Sequence, residues 1–188
     1  MKYLETDALV VVDVQNDFCQ GGALPVPDGA LVVQAINHLV HHFDHLVFSR
    51  DWHESDHCSF GDPPEFKDGS WPEHCLRHSP GAELHGNLMV PMDAHIVNKG
   101  EEEEAYSAFQ NTDLEDWLKG RGVKRVFVAG LATDYCVKFT VLDAVKAGFE
   151  TWLVEDGCQG VAEESTREAL AVMAAAGVQG CQSQDFQK

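Results

Sequence analysis

Two near-continuous apolar runs, at residues 9–12 and 126–129, constrain the fold of this chain more than any other feature. An apolar run without alternation is typical of a strand that is covered on both faces, as in a parallel sheet. Strand-like segments occur at residues 7–13, 45–49, 93–98, 124–130 and 150–154 and near Val178, and helix-like segments at 31–40, 113–119, 134–147 and 163–176. This alternation predicts an α/β fold, a doubly wound, mainly parallel six-stranded sheet with helices on both faces.

The size and charge of the chain limit its partners. Its 188 residues fit one domain, which we predict to span residues 1–188. A formal net charge of -18, from 13 Lys and Arg against 31 Asp and Glu, argues against nucleic acid and against an anionic membrane. A membrane-spanning helix needs about 18 or more apolar residues in a row, and no segment of the chain approaches that length. The N-terminal residues lack the apolar part of a signal peptide, so we expect a cytoplasmic protein.

Three strand-like runs are followed by residues that can do chemistry, namely Asp13, Lys99 and Cys136. In open parallel sheets, ligands bind at the carboxyl ends of the strands. If these strands are neighbours, a base, a cation and a nucleophile converge on one crevice, which suggests covalent catalysis. Cys136 also falls in the first turn of the predicted helix at 134–147, with Thr133 as N-cap, where the helix dipole favours a thiolate.

Each of these residues also has a simpler interpretation. Cys136 can be a small apolar side chain on a core helix, Asp13 can cap a turn, and Lys99 can be a surface lysine. The occurrence of all three at strand ends favours the catalytic interpretation.

Residues 50–92 do not fit the alternation of strands and helices. A long loop rich in Trp, Phe, His and Cys indicates function rather than disorder, and we predict a metal- and substrate-binding insertion there. Asp51 and His53 are two residues apart, so in an extended chain their side chains point the same way and can share one ion. His57 and His74 can fold over to complete a ligand set that suits zinc, iron or manganese. The alternative is a polar loop whose histidines are solvated or hydrogen-bonded.

Five strings of the chain occur in an informative order. They are Asp13-Val14-Gln15-Asn16-Asp17-Phe18, Asp51-Trp52-His53 with His57, Trp71-Pro72-Glu73-His74-Cys75, Lys99-Gly100 and Ala129-Gly130-Leu131-Ala132-Thr133-Asp134-Tyr135-Cys136-Val137. In this order the chain resembles the nicotinamidase/pyrazinamidase family of isochorismatase-like cysteine hydrolases, from residue 7 to about residue 162. The resemblance implies a single isochorismatase-like hydrolase domain. It also implies hydrolysis of nicotinamide to nicotinate and ammonia through a cysteine thioester in NAD salvage, with pyrazinamide as a further substrate.

The resemblance also implies catalytic roles. Cys136 matches the nucleophile, Asp13 the general base and acid, and Lys99 the third member of the catalytic set. The backbone amides of Ala132 and Cys136 match the oxyanion hole, and the peptide bond between Leu131 and Ala132 is expected to be cis.

One divalent metal ion is implied as the cofactor, with zinc preferred and iron or manganese as alternatives. Asp51, His53 and His74 match the family's metal ligands. His57 matches a histidine that binds the ion directly in some relatives and only supports the ligands in others.

Aromatic residues match the walls of the family's ring pocket. Phe18 and Trp71 match residues that line it, and Tyr106 is a weaker match at its mouth. Tyr135 stands where some relatives have a histidine, and we expect its side chain to point away from the chemistry. The expected partner is the small molecule nicotinamide, bound by a monomer or a homo-oligomer.

Three alternatives compete with this interpretation. A related metal-free cysteine amidohydrolase would act on a carbamoyl or ureido substrate, and the set of Asp51, His53 and His74 argues against it. A non-catalytic metal protein would have an inert Cys136. A hydrolase that uses metal-bound water would stay active after its thiols are alkylated.

Overall fold

The computed structural model of the chain describes residues 3–186, so the two residues at each end of the predicted 1–188 domain lie outside the described residues. The strands are β1 (Asp7–Val12), β2 (His45–Asp51), β3 (His95–Lys99), β4 (Arg125–Leu131), β5 (Glu150–Gln159) and β6 (Gln179–Cys181). The α-helices are α1 (Val32–Val40), α2 (Leu114–Gly120), α3 (Lys138–Lys146) and α4 (Glu163–Ala175). Between residues 3 and 186, no helix is long and apolar enough to cross a membrane.

The strands form one sheet in the order β3-β2-β1-β4-β5-β6, and every pair in it is parallel. The chain starts in the middle of the sheet and winds outward to each side, which confirms the predicted doubly wound fold. The sheet is parallel throughout, where the sequence predicted a mainly parallel one. All six residues of β1 are buried, which accounts for its continuous apolar run.

The sheet separates two hydrophobic cores. On one face, Leu9 and Phe48 pack with Ile36 of α1. On the other face, Val10 packs with residues of α2, α3 and α4. Because successive side chains of a strand point to opposite faces, β1 contributes to both cores and is held between two apolar layers.

The start of the third helix differs from the prediction. Residues Thr133–Val137 form a π-helical turn, and α3 begins only at Lys138. The predicted N-cap Thr133 is wrong, since it lies inside this turn after Ala132. The turn is interrupted at Tyr135, whose φ of -124° and ψ of -105° are not helical. The predicted cis peptide between Leu131 and Ala132 is present.

Residues 52–94 connect β2 to β3 without a helix or a strand of the sheet. Main-chain hydrogen bonds organise this connection: His53 N donates to Cys75 O at 3.0 Å, and Arg77 N donates to His53 O at 2.9 Å. These bonds bring the chain around His74 alongside His53. Residues that are far apart in the sequence thus meet just beyond the end of β2.

Candidate active site

The three predicted catalytic residues meet at the carboxyl ends of the strands. Asp13 follows β1, Lys99 ends β3 and Cys136 follows β4. Strands β1 and β4 are neighbours, but β2 lies between β1 and β3. Lys99 therefore reaches the other two residues only because its long side chain extends across the end of β2.

The Lys99 ammonium lies at the centre of this group. Its Nζ is 2.9 Å from Asp13 Oδ2, 2.5 Å from Asp51 Oδ1 and 3.5 Å from Cys136 Sγ. It also donates to the carbonyl oxygen of Ala105 at 2.9 Å. Burial by itself lowers the pKa of Lys99, but the charges of Asp13 and Asp51 outweigh it and raise the pKa well above its usual value. Lys99 is thus a fixed positive charge shared by two buried carboxylates.

Asp13 is placed as a base within reach of the thiol. Its backbone has a φ of +49°, which turns the chain away from β1. Its Oδ1 accepts a hydrogen bond from Ser49 Oγ at 2.6 Å. Burial raises the pKa of Asp13, and the Lys99 charge opposes that rise. A carboxyl with a raised pKa can take up and return a proton, as a general base and acid must.

Cys136 is buried, and its surroundings on balance oppose ionisation of the thiol. Burial raises the pKa of Cys136 well above its usual value, Lys99 lowers it, and the negative charge of Asp13 raises it further. Cys136 lies in the π-helical turn before α3 rather than in the first turn of that helix, and burial raises the pKa of its thiol more than the nearby cation lowers it, so the structure does not support the expected thiolate. Oxygen atoms of Asp13 and Asp51 lie within 4.8 Å of Cys136 Sγ, so a proton acceptor is at hand.

Asp51, His53 and His74 form a cluster that fits a metal ion. Their ligand atoms lie within 4.8 Å of one another, and Asp51 Oδ2 is 3.6 Å from His53 Nε2 and 3.8 Å from His74 Nε2. The Nδ1 atoms of the two histidines lie 2.6 Å from Gly100 O and 2.7 Å from Pro72 O. A carbonyl oxygen only accepts, so each Nδ1 carries a proton, and each Nε2 presents a lone pair to the cluster when its ring is neutral.

The Asp51 carboxylate is shared between the catalytic group and this cluster. Burial raises its pKa, but Lys99 and then His53 outweigh that effect, so the net pKa is lowered. Asp51 is thus ionised, with Oδ1 toward Lys99 and Oδ2 toward the histidines.

His57 lies beside this cluster but is not a member of it. Among the described residues, the cluster consists of Asp51, His53 and His74. Its ring stacks on His53 with centroids 4.2 Å apart. Its Nδ1 accepts from the backbone N–H of Ser59 at 3.3 Å. In the neutral ring this puts the proton on Nε2, the opposite tautomer to that of the two clustered histidines. The role of His57 as a ligand stays a prediction.

A cavity of about 410 Å³ opens over both groups. Its lining includes the three predicted substrate-binding residues Phe18, Trp71 and Tyr106, and also Ala132 and Cys136. Their contacts with a substrate, and the oxyanion role of the two backbone amides, stay predictions. The cavity walls are mainly apolar, with the charged groups at the base, which is typical of sites that bind small organic molecules.

The structure corrects the expectation for Tyr135. Its side chain lines the cavity and packs edge-on against Trp71, with ring centroids 5.4 Å apart. The reason is the non-helical backbone at this position, which turns Tyr135 toward the cavity rather than along a regular helix face.

Several residues of the site were missed by sequence analysis. Phe66, exposed on the long connection, also lines the cavity. Tyr106 accepts a hydrogen bond from Trp71 Nε1 at 2.9 Å and donates to Asp68 at 2.5 Å. Burial and the Asp68 hydrogen bond raise the pKa of Tyr106. Only the aromatic character of residues 50–92 hinted at such contacts, and nothing in the sequence identifies Asp68 as the partner.

The sequence of the chain matches known proteins over nearly its whole length. The family model described as the isochorismatase domain matches residues 7–185. The nicotinamidase of Escherichia coli strain K12 is 41% identical to the chain, over 90% of the chain and 92% of the relative.

Solved structures with the same fold have informative ligands. The pyrazinamidase of Pyrococcus horikoshii in complex with zinc is 43% identical, with a TM-score of 0.88, over 94% of this chain and 99% of that one. The structure of PnC1 from L. infantum in complex with nicotinate is 36% identical, with a TM-score of 0.89, over 98% of this chain and 96% of that one.

Proposed function

The chain belongs to the isochorismatase family, and from this premise we propose that it is a nicotinamidase. It hydrolyses nicotinamide to nicotinate and ammonia, a step of NAD salvage, and it also accepts pyrazinamide. One observation carries the proposal: a buried group of Asp13, Lys99 and Cys136 shares the Asp51 carboxylate with a metal-binding cluster at the base of one cavity. Relatives named for this activity, with zinc or nicotinate bound in their structures, support it.

The reaction begins with a proton transfer from the Cys136 thiol to Asp13. The thiolate then attacks the carboxamide carbon, and a carbon–sulfur bond forms as the carbonyl electrons move to oxygen. Asp13 returns its proton to the departing nitrogen, so that ammonia leaves and a thioester remains. Asp13 next takes a proton from a water molecule, whose oxygen attacks the thioester carbon. The carbon–sulfur bond breaks, Asp13 returns the proton to the Cys136 sulfur, and nicotinic acid leaves and loses its proton to solvent as nicotinate.

Lys99 and two backbone amides stabilise the charges that develop. The Lys99 ammonium, 3.5 Å from Cys136 Sγ, stabilises the thiolate once the proton has moved to Asp13. The amides of Ala132 and Cys136 donate to the oxyanion, and each such donor contributes about 3–4 kcal/mol in other hydrolases.

We assign a divalent metal ion to Asp51, His53 and His74, which would hold it with imidazole and carboxylate ligands. Iron and manganese suit this ligand set as well, and zinc is preferred because the similar pyrazinamidase of Pyrococcus horikoshii binds it. When bound, the ion supplies a coordination site for the pyridine nitrogen and thereby orients the ring. Phe18 and Trp71 hold the two sides of the ring.

An ammonia-release assay with nicotinamide tests the proposal. The zinc-loaded protein should release ammonia from nicotinamide, and Cys136→Ala should abolish this release while the fold and the metal content are kept. Benzamide, which lacks the ring nitrogen, is the matched control substrate and should react much more slowly. A folded, zinc-loaded protein that leaves nicotinamide intact but hydrolyses a ureido compound would replace this function with that of a related amidohydrolase.

A further inference from the structure

The end of β2 extends beyond its neighbour β1. The β1–β2 register ends at the pair Val11 and Phe48, and the last main-chain bond runs from Asp13 N to Ser49 O at 3.3 Å. In a parallel sheet, the main-chain N–H and C=O groups of every second residue of a strand point toward the same neighbouring strand. Asp51 is two residues after Ser49, so it also directs its N–H and C=O toward β1. At that level β1 has already ended and supplies no partner.

The side chain of Gln15 fills this gap. Its Oε1 accepts from Asp51 N at 2.8 Å, and its Nε2 donates to Asp51 O at 2.8 Å. The second Nε2 hydrogen is donated to Ala82 O, also at 2.8 Å. Gln15 is fully buried, so these bonds are protected from water. The amide thus pairs with both main-chain groups of Asp51 as a strand residue would.

The position of Asp51 matters because one carboxylate has two tasks. Its Oδ1 accepts from Lys99 Nζ at 2.5 Å, and its Oδ2 faces the Nε2 atoms of His53 and His74. A shift or rotation of the Asp51 backbone would move both oxygens at once. A fixed main chain at this position is therefore a condition for both interactions.

We propose that Gln15 is a positioning residue that replaces the missing β1 partner of Asp51 and so holds its carboxylate between Lys99 and the metal ligands. This inference rests on the proposed function, because it concerns the same metal cluster. Gln15 N also donates to Asp13 O at 2.8 Å, so the residue links the base and the shared carboxylate. Loss of a group that orients a metal ligand lowers metal affinity by about 10- to 100-fold in other proteins.

The test compares Gln15→Leu with a matched control, Asn37→Leu. The Asn37 amide binds a loop by the same pattern, since Nδ2 donates to Asn87 O at 2.8 Å and Oδ1 accepts from Met89 N at 2.7 Å. Asn37 lies on α1 and does not line the cavity. Zinc affinity is measured by competition with a chelator, and folding by circular dichroism and thermal unfolding.

Gln15→Leu should bind zinc about 10- to 100-fold more weakly than the unmodified protein, whereas Asn37→Leu should keep its zinc affinity. Unchanged affinity in a folded Gln15→Leu protein, or an equal loss in both variants, overturns the positioning role. The result is separable from the proposed function, because zinc affinity is read without substrate and the unmodified protein is assayed with nicotinamide in parallel.

A second variant covers the case in which Gln15→Leu does not fold. Gln15→Glu keeps an acceptor for Asp51 N but sets an oxygen against Asp51 O and Ala82 O in place of the Nε2 donor, and it should also bind zinc more weakly than the unmodified protein. Unchanged affinity in Gln15→Glu overturns the proposal. If neither Gln15 variant folds while Asn37→Leu does, Gln15 is needed for the fold as a whole, and the specific role is also overturned.

Discussion

Replacing Lys99 with methionine tests the electrostatic centre of the site. The substitution keeps an unbranched side chain but removes the ammonium that contacts Asp13 and Asp51 at 2.9 and 2.5 Å. Two buried carboxylates then face each other without a cation. Breaking a buried ion pair in this way is strongly destabilising, because the remaining charge is uncompensated.

The size of the effect is limited by proton uptake. A unit-charge pair about 3–4 Å apart contributes about 4–6 kcal/mol at an effective dielectric constant of about 20, and Lys99 takes part in two such pairs. When one of the two carboxylates binds a proton, the net charge of the site returns to the value that it has with Lys99 present. For a carboxyl with an unfolded pKa of about 3.9, that uptake at pH 7 costs about 4 kcal/mol, at about 1.4 kcal/mol per pH unit. The free energy of unfolding should therefore fall by about 4 kcal/mol at pH 7.

The sign of the pH dependence follows from the carboxyl groups. In the unmodified protein Lys99 lowers the pKa of Asp51, so that contribution to stability is present above the unfolded pKa and is lost as the pH falls. In Lys99→Met the folded pKa of a carboxyl is raised instead, so the destabilisation fades as the pH falls toward the unfolded pKa. Above the unfolded pKa of about 3.9 only the second effect operates, and it shrinks the difference between the proteins to about 2 kcal/mol at pH 5.5.

Urea unfolding of the EDTA-treated proteins at the two pH values measures this difference. The control is Lys119→Met, which removes an exposed pair with Glu115 in α2 and should change stability by less than about 0.5 kcal/mol. A loss below about 1 kcal/mol for Lys99→Met at pH 7, or a loss that is independent of pH, refutes the reasoning. Ammonia release by Lys99→Met should also be lost.

Three further predictions concern the metal and the thiol. His53→Ala should lose the divalent ion and the amidase activity together, and full activity of the unmodified protein in excess EDTA would contradict the metal assignment. Nicotinaldehyde should inhibit far more strongly than benzaldehyde, because only the former has a ring nitrogen as well as a carbonyl that the Cys136 thiolate can attack. Equal inhibition would mean that the ion does not recognise the ring. Alkylation of Cys136 by iodoacetamide should accelerate steadily from neutral to alkaline pH, since burial raises the pKa of this thiol and only the thiolate reacts. A rate independent of pH would indicate a preformed thiolate.

The sequence was informative wherever the signal is local. The apolar runs at residues 9–12 and 126–129 predicted strands covered on both faces, and both lie in the buried centre of the sheet. The predicted end of the third helix at Gly148 agrees with the structure, where Gly148 has a φ of +90° just past α3. Its predicted start at Asp134 was wrong, because Asp134 lies in the π-helical turn and α3 begins only at Lys138. The Asp134 carboxylate accepts hydrogen bonds from Val161 N and Ser165 Oγ at the beginning of α4.

Part of the chemistry of the site could be predicted from the sequence for the same reason. A functional residue at the end of a strand or within a few residues after it, as with Asp13, Lys99 and Cys136, lies at the binding edge of a parallel sheet whatever the order of the strands. The tendency of the Cys136 thiol to ionise could not be predicted from the sequence. It depends on how deeply Cys136 is buried and on which charges surround it, and these are properties of the packed structure.

The sequence by itself determined the elements, their burial pattern and the residue types at the ends of the strands, because these depend on neighbours within a few positions along the chain. Only the tertiary structure decided which side chains meet. Gln15 binds the main chain of Asp51, 36 residues away, and Lys99 bridges Asp13 and Asp51 across the end of an intervening strand. Such contacts are set by strand order and by where each strand stops, and no local pattern of apolar and polar residues encodes either.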